Sequence, residues 1–184
     1  MSKYHKNEEN KTHDENTACY DSCKHPAPGK ALLRCSNGGF SSTDITFVAA
    51  NTPLTLNRPI ASVSIDTICL CRPSILIDFA GILTGTPITV TAVALFNFTL
   101  FKTCKGMRVR IPVATFSYSF LNVFTLPDSR TLKFEYSSCD DLCEDCCTYT
   151  LELTSISNIA PGVVNFSITG KLCALAIENP LNKS

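Results

Sequence analysis

Thr131-Leu132-Lys133-Phe134-Glu135-Tyr136 alternates polar and apolar side chains without a break. Successive side chains of an extended strand point to opposite faces, so Leu132, Phe134 and Tyr136 share one face and Thr131, Lys133 and Glu135 the other. The same period of two recurs in Ile60-Ala61-Ser62-Val63-Ser64-Ile65-Asp66, where Val63 and Ile65 oppose Ser62, Ser64 and Asp66. No segment carries a 3.6-residue apolar stripe with caps, so the chain reads as all-β.

Outward from these two stretches, short runs rich in Val, Ile, Thr and Phe are separated by turn residues, as in a sandwich or barrel. Candidate strands are Ala31–Cys35, Asp44–Ala49, Ile60–Asp66, Ile75–Phe79, Ile88–Phe101, Val109–Phe120, Thr131–Ser137, Tyr149–Ile156 and Val163–Ile177. Asn37-Gly38-Gly39 reads as a turn, and the last run as broken near Gly170. Prolines 53, 59, 73, 87, 112, 127 and 161 fall at or near strand ends, where a missing N–H costs least. The expected architecture is a two-sheet, jelly-roll-like sandwich. Phe79–Phe101 is uncharged and long enough to span a bilayer. Its glycines, its proline and the β-branched run Ile88–Val93 favour strand over membrane helix.

The 184 residues fit one core plus a tail. With 45% hydrophobic and 17% charged residues, the chain has enough apolar material to fold without disulfides. Lys+Arg and Asp+Glu number 16 each, which gives no electrostatic reason to expect a nucleic-acid or membrane partner and weakens repulsion between copies. Residues 1–29 are polar and aperiodic and read as a flexible N-terminal arm, closed by Pro26-Ala27-Pro28-Gly29. Residues 30–184 form the β-sandwich domain. The first ten residues lack an apolar signal core, so synthesis in the cytosol without a signal peptide is expected.

Catalytic groups are scarce. His5, His13 and His25 all lie in the arm, which leaves the core without an imidazole for general-base work. Asn37-Gly38-Gly39 lacks the lysine and helix start of a phosphate loop. Asp66 and Asp78 sit in strand patterns without a visible partner. No catalytic residue, cofactor or resident metal is expected. Asn97-Phe98-Thr99 and Asn165-Phe166-Ser167 match a glycosylation sequon but read as chance matches on Thr- and Ser-rich strands.

Eleven cysteines stand at 19, 23, 35, 69, 71, 104, 139, 143, 146, 147 and 173. Cys35, Cys104 and Cys173 are single residues in or beside strands, readable as buried hydrophobes or as disulfide partners. Cys69 and Cys71 are two apart, point to the same face of a strand, and bridge only to different partners. Cys139, Cys143, Cys146 and Cys147 crowd an acidic turn and read as a disulfide-knotted turn or as metal-ligand spacing; the four intervening carboxylates oppose thiolate formation. An odd total leaves an intermolecular bond or a free thiol when oxidation is complete. Cys19 and Cys23 lie about ten residues before the core, and an extended segment of that length reaches roughly 33 Å, enough to touch a neighbouring subunit. The alternative is that the two pair with each other or with their own core.

Leu32-Leu33-Arg34-Cys35, Ile60–Thr67, Cys69-Leu70-Cys71-Arg72-Pro73, Leu100–Cys104 and Cys139–Tyr149 together resemble an uncharacterised cysteine-rich domain family of anaerobic spore-forming bacteria. The cysteine-bearing arm before a Thr- and Val-rich core is similar in architecture to the endospore appendage fibre subunits. That resemblance implies jelly-roll subunits that stack by sheet augmentation into a homopolymer on the spore surface. It also implies that Cys19 and Cys23 are the intermolecular connector thiols, with acceptors among Cys35, Cys104 and Cys173. The competing expectation is a soluble metal-binding or redox module, or a coat protein that forms no fibres.

Overall fold

The computed structural model describes residues 30–68, 70, 72–87, 92–122, 128–139, 146–158 and 161–179. Eight strands run through them: β1 (Ala31–Phe47), β2 (Leu54–Ile65), β3 (Pro73–Pro87), β4 (Ala92–Cys104), β5 (Ile111–Asn122), β6 (Asp128–Cys139), β7 (Cys147–Asn158) and β8 (Gly162–Glu178). All ladders are antiparallel and form two four-stranded sheets, ordered β1-β8-β3-β6 and β2-β7-β4-β5. Eight strands split this way between two facing sheets make a jelly roll.

The alternation seen in sequence sets the core. Ile75, Ile77, Phe79 and Leu83 of β3 and Phe166, Ile168, Leu172, Ala174 and Ala176 of β8 turn inward from the first sheet. Phe96, Phe98 and Leu100 of β4 meet them from the second, with Tyr149, Leu151 and Leu153 of β7. Each fully buried side chain of this size contributes about 1.5–3 kcal/mol. Phe134 of β6 joins the layers. Its ring lies 4.9 Å from Phe98 and from Phe116 of the opposite sheet and 5.9 Å from Phe79 of its own.

Two sequence expectations are corrected. Asn37-Gly38-Gly39 is not a turn but the middle of the continuous 17-residue strand β1, which absorbs an irregularity between Ser42 and Ile45 instead. The expected break at Gly170 is likewise absent from β8. The reason is packing. Gly38, Gly170 and Gly81 stand opposite one another in register across β1, β8 and β3, on the inner side of the sheet. A Cβ on Gly38 would meet the Ile60 carbonyl oxygen of the other sheet at 2.0 Å, and one on Gly170 would strike the Phe79 ring at 2.6 Å. The glycines serve close approach of backbone and ring to the sheet rather than chain reversal.

The uncharged Phe79–Phe101 segment is divided between β3 and β4. Among the described residues no helix is long and apolar enough to cross a membrane.

Candidate functional site

Strand register brings four of the predicted cysteines together in pairs. Cys35 of β1 faces Cys173 of β8, and the two form a disulfide with Cα atoms 4.1 Å apart. Cys104 at the end of β4 faces Cys147 at the start of β7 and forms a second, with Cα atoms 4.0 Å apart. The three candidate acceptors, Cys35, Cys104 and Cys173, are therefore not standing thiols. Cys147 likewise leaves the acidic turn for β4, so the four-cysteine turn is not a self-contained knot. The physical cause in both cases is direct opposition across an antiparallel ladder, which places the two Cβ atoms within bonding range. Cys146 beside it is a half-buried free thiol. Cys19, Cys23, Cys69, Cys71 and Cys143 lie outside the described residues, as does the side chain of Cys139.

The two disulfides occupy opposite environments. Cys104 and Cys147 are 5% and 3% exposed on the inner face. Cys35 is exposed and Cys173 half-buried, because odd-numbered residues of β8 and of β1 before its irregularity point out of the sandwich while Phe40, Phe166 and Leu172 point in. The outer surface around this bond is ordered in rows. The Cys35–Cys173 row continues into Asp78 of β3 and Glu135 of β6. Lys133 donates to Glu135 at 2.6 Å; that hydrogen bond and the Glu135 charge, with a smaller contribution from Asp78, hold its ammonium above the ordinary lysine range. Two residues closer to the chain entry, the next row is Leu33, Leu175, Leu76 and Ser137.

The outer face of the second sheet is a hydroxyl and amide surface. Ser117 donates to Asn97 at 2.7 Å, and Asn97 donates in turn to Ser155 at 3.1 Å. Ser64 and Thr148 pair at 2.7 Å, and Ser62 and Thr150 at 2.9 Å. Glu152 is a buried charged group on this face. It is held by the Arg110 guanidinium, which also lies 4.2 Å over the Phe101 ring, while its second carboxylate oxygen finds no hydrogen-bond partner. A depression of about 240 Å³ opens beside the β1 irregularity, lined by Ser41, Ser42, Thr43, Thr84, Asn165, Phe166 and Ser167. None of these described lining residues carries a titratable side chain.

Among the described strands, β1, β6, β2 and β5 are sheet edges. They differ as templates. The β2 edge carries Pro59 and two register shifts, and Asn57 within the first of them has φ of 49°. The β6 edge is charged, with Arg130 paired to Asp128 at 2.8 Å. Residues 111–122 of β5 contain no charge, and residues 31–42 of β1 contain only Arg34. A long uncharged edge offers unpaired N–H and C=O groups to another chain.

Sequence reasoning missed both partner assignments and the leucine row. The available signal was apolar residues on both strand faces, in Ala31-Leu32-Leu33, Ile75-Leu76-Ile77 and Ala174-Leu175-Ala176-Ile177, where a half-buried strand needs only one.

A family model described as a domain of unknown function, DUF4489, matches residues 29–177. No curated protein matches the chain. Solved structures of infectious bursal disease virus are similar to it: the Gx strain at 12% identity over 85% of this chain, TM-score 0.33, and the Gt strain at 12% over 79%, TM-score 0.34. The T13 particle of the same virus matches at 11% over 85%, TM-score 0.30. The chain spans 38%, 39% and 41% of those viral chains, and likeness of this degree carries no functional information.

Proposed function

The chain is a member of the DUF4489 family, and from that starting point we propose that it is a non-catalytic structural subunit that polymerises with copies of itself into a disulfide-cross-linked fibre. The observation that carries this reading is the exposed Cys35–Cys173 disulfide on the outer face of an edge strand, where a second chain has access to it. A thiolate of Cys19 or Cys23 from a neighbouring arm attacks one sulfur, forms the interchain bond, and releases the other sulfur as a thiolate with the bonding electron pair. Disulfides are conserved in this step and no oxidant is consumed. The buried Cys104–Cys147 bond is out of reach of such a nucleophile, which narrows the acceptors to Cys35 and Cys173.

Lateral growth uses the sheet edges, with the uncharged β5 and β1 edges best suited to main-chain pairing between copies. Self is thus the partner, with no role for nucleic acid, membrane, cofactor or metal. Placement on the spore surface or in an extracellular appendage rests on the resemblance of the cysteine motifs, and immunogold labelling of spores tests it.

Negative-stain microscopy of the purified full chain, with and without reductant, tests the assembly reading. Filaments are expected, and Cys19→Ser/Cys23→Ser is expected to leave the fold intact while making them sensitive to heat or denaturant. Discrete monomers in both conditions, with stoichiometric zinc or iron by elemental analysis, overturn it in favour of a metal-binding or redox module.

A further inference from the structure

The exposed disulfide does not stand alone. Immediately beside it on the same outer face, Leu33, Leu175 and Leu76 lie side by side on β1, β8 and β3, with Ile177 in the next row. Leu33 is 62% exposed, Leu76 39% and Ile177 43%. Solvated faces of half-buried strands ordinarily carry polar residues, as this face does in its row of Ser41, Ser167, Thr84 and Ser129, and the lone Ile82 of the next row has no apolar neighbour across the ladder. A clustered exposed aliphatic row marks a contact surface.

We propose that this row is the recognition groove for the N-terminal arm of a second copy, with Tyr20 laid across Leu33, Leu175 and Leu76 as the anchor. The inference deepens the arm-exchange reading above and rests on it for the choice of a second copy. Three observations select the occupant. The segment that carries the exchanging thiols has one large aromatic side chain, Tyr20, directly beside Cys19. Tyrosine brings a rigid apolar ring and a hydroxyl that stays in water, the chemistry that suits a shallow aliphatic row on a solvated sheet. The spacing also fits. The leucine row is two residues from the disulfide row along both β1 and β8, about 7 Å, and the side chains of adjacent residues 19 and 20, whose Cα atoms are about 3.8 Å apart, cover that distance.

Reach favours a neighbour over the chain's own sheet. Residues 1–29 end at Lys30, which is fixed at the same corner of the sandwich by the backbone bond from Glu178 N–H to its carbonyl at 2.9 Å. To return to its own leucine row, only three residues into β1, the arm has to reverse direction at once. The sequence His25-Pro26-Ala27-Pro28 opposes that, since each residue before a proline is biased to extended backbone. Tyr20 stands ten residues before Lys30 in the sequence, and an extended segment of that length reaches up to roughly 33 Å, more than the width of a four-stranded sheet.

The test separates recognition from exchange. The full chain carrying Cys19→Ser/Cys23→Ser, with benzoylphenylalanine in place of Tyr20, is mixed with the same chain lacking the photoprobe and uniformly labelled with heavy nitrogen, then irradiated and mapped by mass spectrometry. Adducts joining light and heavy chains at the peptides bearing Leu33, Leu76 or Leu175 are expected, and they are expected to fall at least tenfold when the labelled chain carries Leu33→Ser/Leu76→Ser. The control Ile82→Ser, exposed on the same face of β3, is expected to leave them unchanged. Adducts confined to one chain, adducts elsewhere on the sandwich, or none at all overturn the proposal. Interchain adducts at the leucine row from a protein that forms no disulfide-linked filaments sustain the recognition groove while removing the fibre reading.

Discussion

Phe134 of β6 and Phe116 of β5 stack with centroids 4.9 Å apart and planes inclined by 20°, so the edge strand of one sheet is packed on the edge strand of the other. Phe134 also meets Phe98 and Phe79, which makes it the ring through which both layers close on that side. The interior there is nearly filled, with a residual void of about 10 Å³ among Ile77, Phe79, Leu100, Phe116, Phe134, Tyr136, Leu151 and Leu172. Phe134→Ala is expected to destabilise the domain by about 3–5 kcal/mol. Denaturant unfolding of the variant checks it, and a loss below about 1 kcal/mol would show that the ring is not central.

Gly38→Ala tests the close approach of the two sheets. Its new Cβ meets the Ile60 backbone oxygen, which has no rotamer to escape into, and the expected loss is about 3 kcal/mol. Gly106→Ala is the control. At φ of +86° with nothing within 4 Å, it meets only the backbone penalty, about 1–2 kcal/mol. Thermal melts that rank the two in the reverse order refute the packing account.

Reduction is expected to proceed in two stages. Under low dithiothreitol, alkylation followed by peptide mapping should label Cys35 and Cys173 while the fold persists. Cys104 and Cys147, nearly excluded from solvent, should become labelled only as the domain opens. Simultaneous labelling of both pairs would remove the distinction on which the acceptor assignment depends.

Arg110→Ala removes the cation that holds Glu152 and strands a buried carboxylate. The expected cost is about 3 kcal/mol, with much of it recovered in Arg110→Ala/Glu152→Gln, where no charge remains to be buried. A double-mutant cycle at neutral pH measures this, and an additive result would show that the two side chains act independently.

The fold was largely legible because alternation is a local property. Leu132, Phe134 and Tyr136 announce an inward face without reference to any partner. Gly38 and Gly170 were misread for the complementary reason: a glycine that makes a turn and one that admits a neighbouring backbone look alike until the neighbour is known. Cysteine pairing is non-local in the same way. Cys35 and Cys173 are 138 residues apart, and only the order β1-β8-β3-β6 places the first strand beside the last. The leucine row was hidden because its three members come from three strands and become contiguous only in register.

The position of the exposed disulfide has a mechanical consequence for the proposed fibre. Tension arriving through an arm enters a subunit at Lys30, and tension leaving through a neighbour's arm exits at Cys35 or Cys173. The stretch of β1 between entry and exit is five residues long, and its ladder runs alongside the last residues of β8. A pull along that line loads the edge of one sheet in shear and leaves the aromatic interior out of the load path, so in a fibre linked in this way the β1 edge, and not the core, is where a subunit yields first.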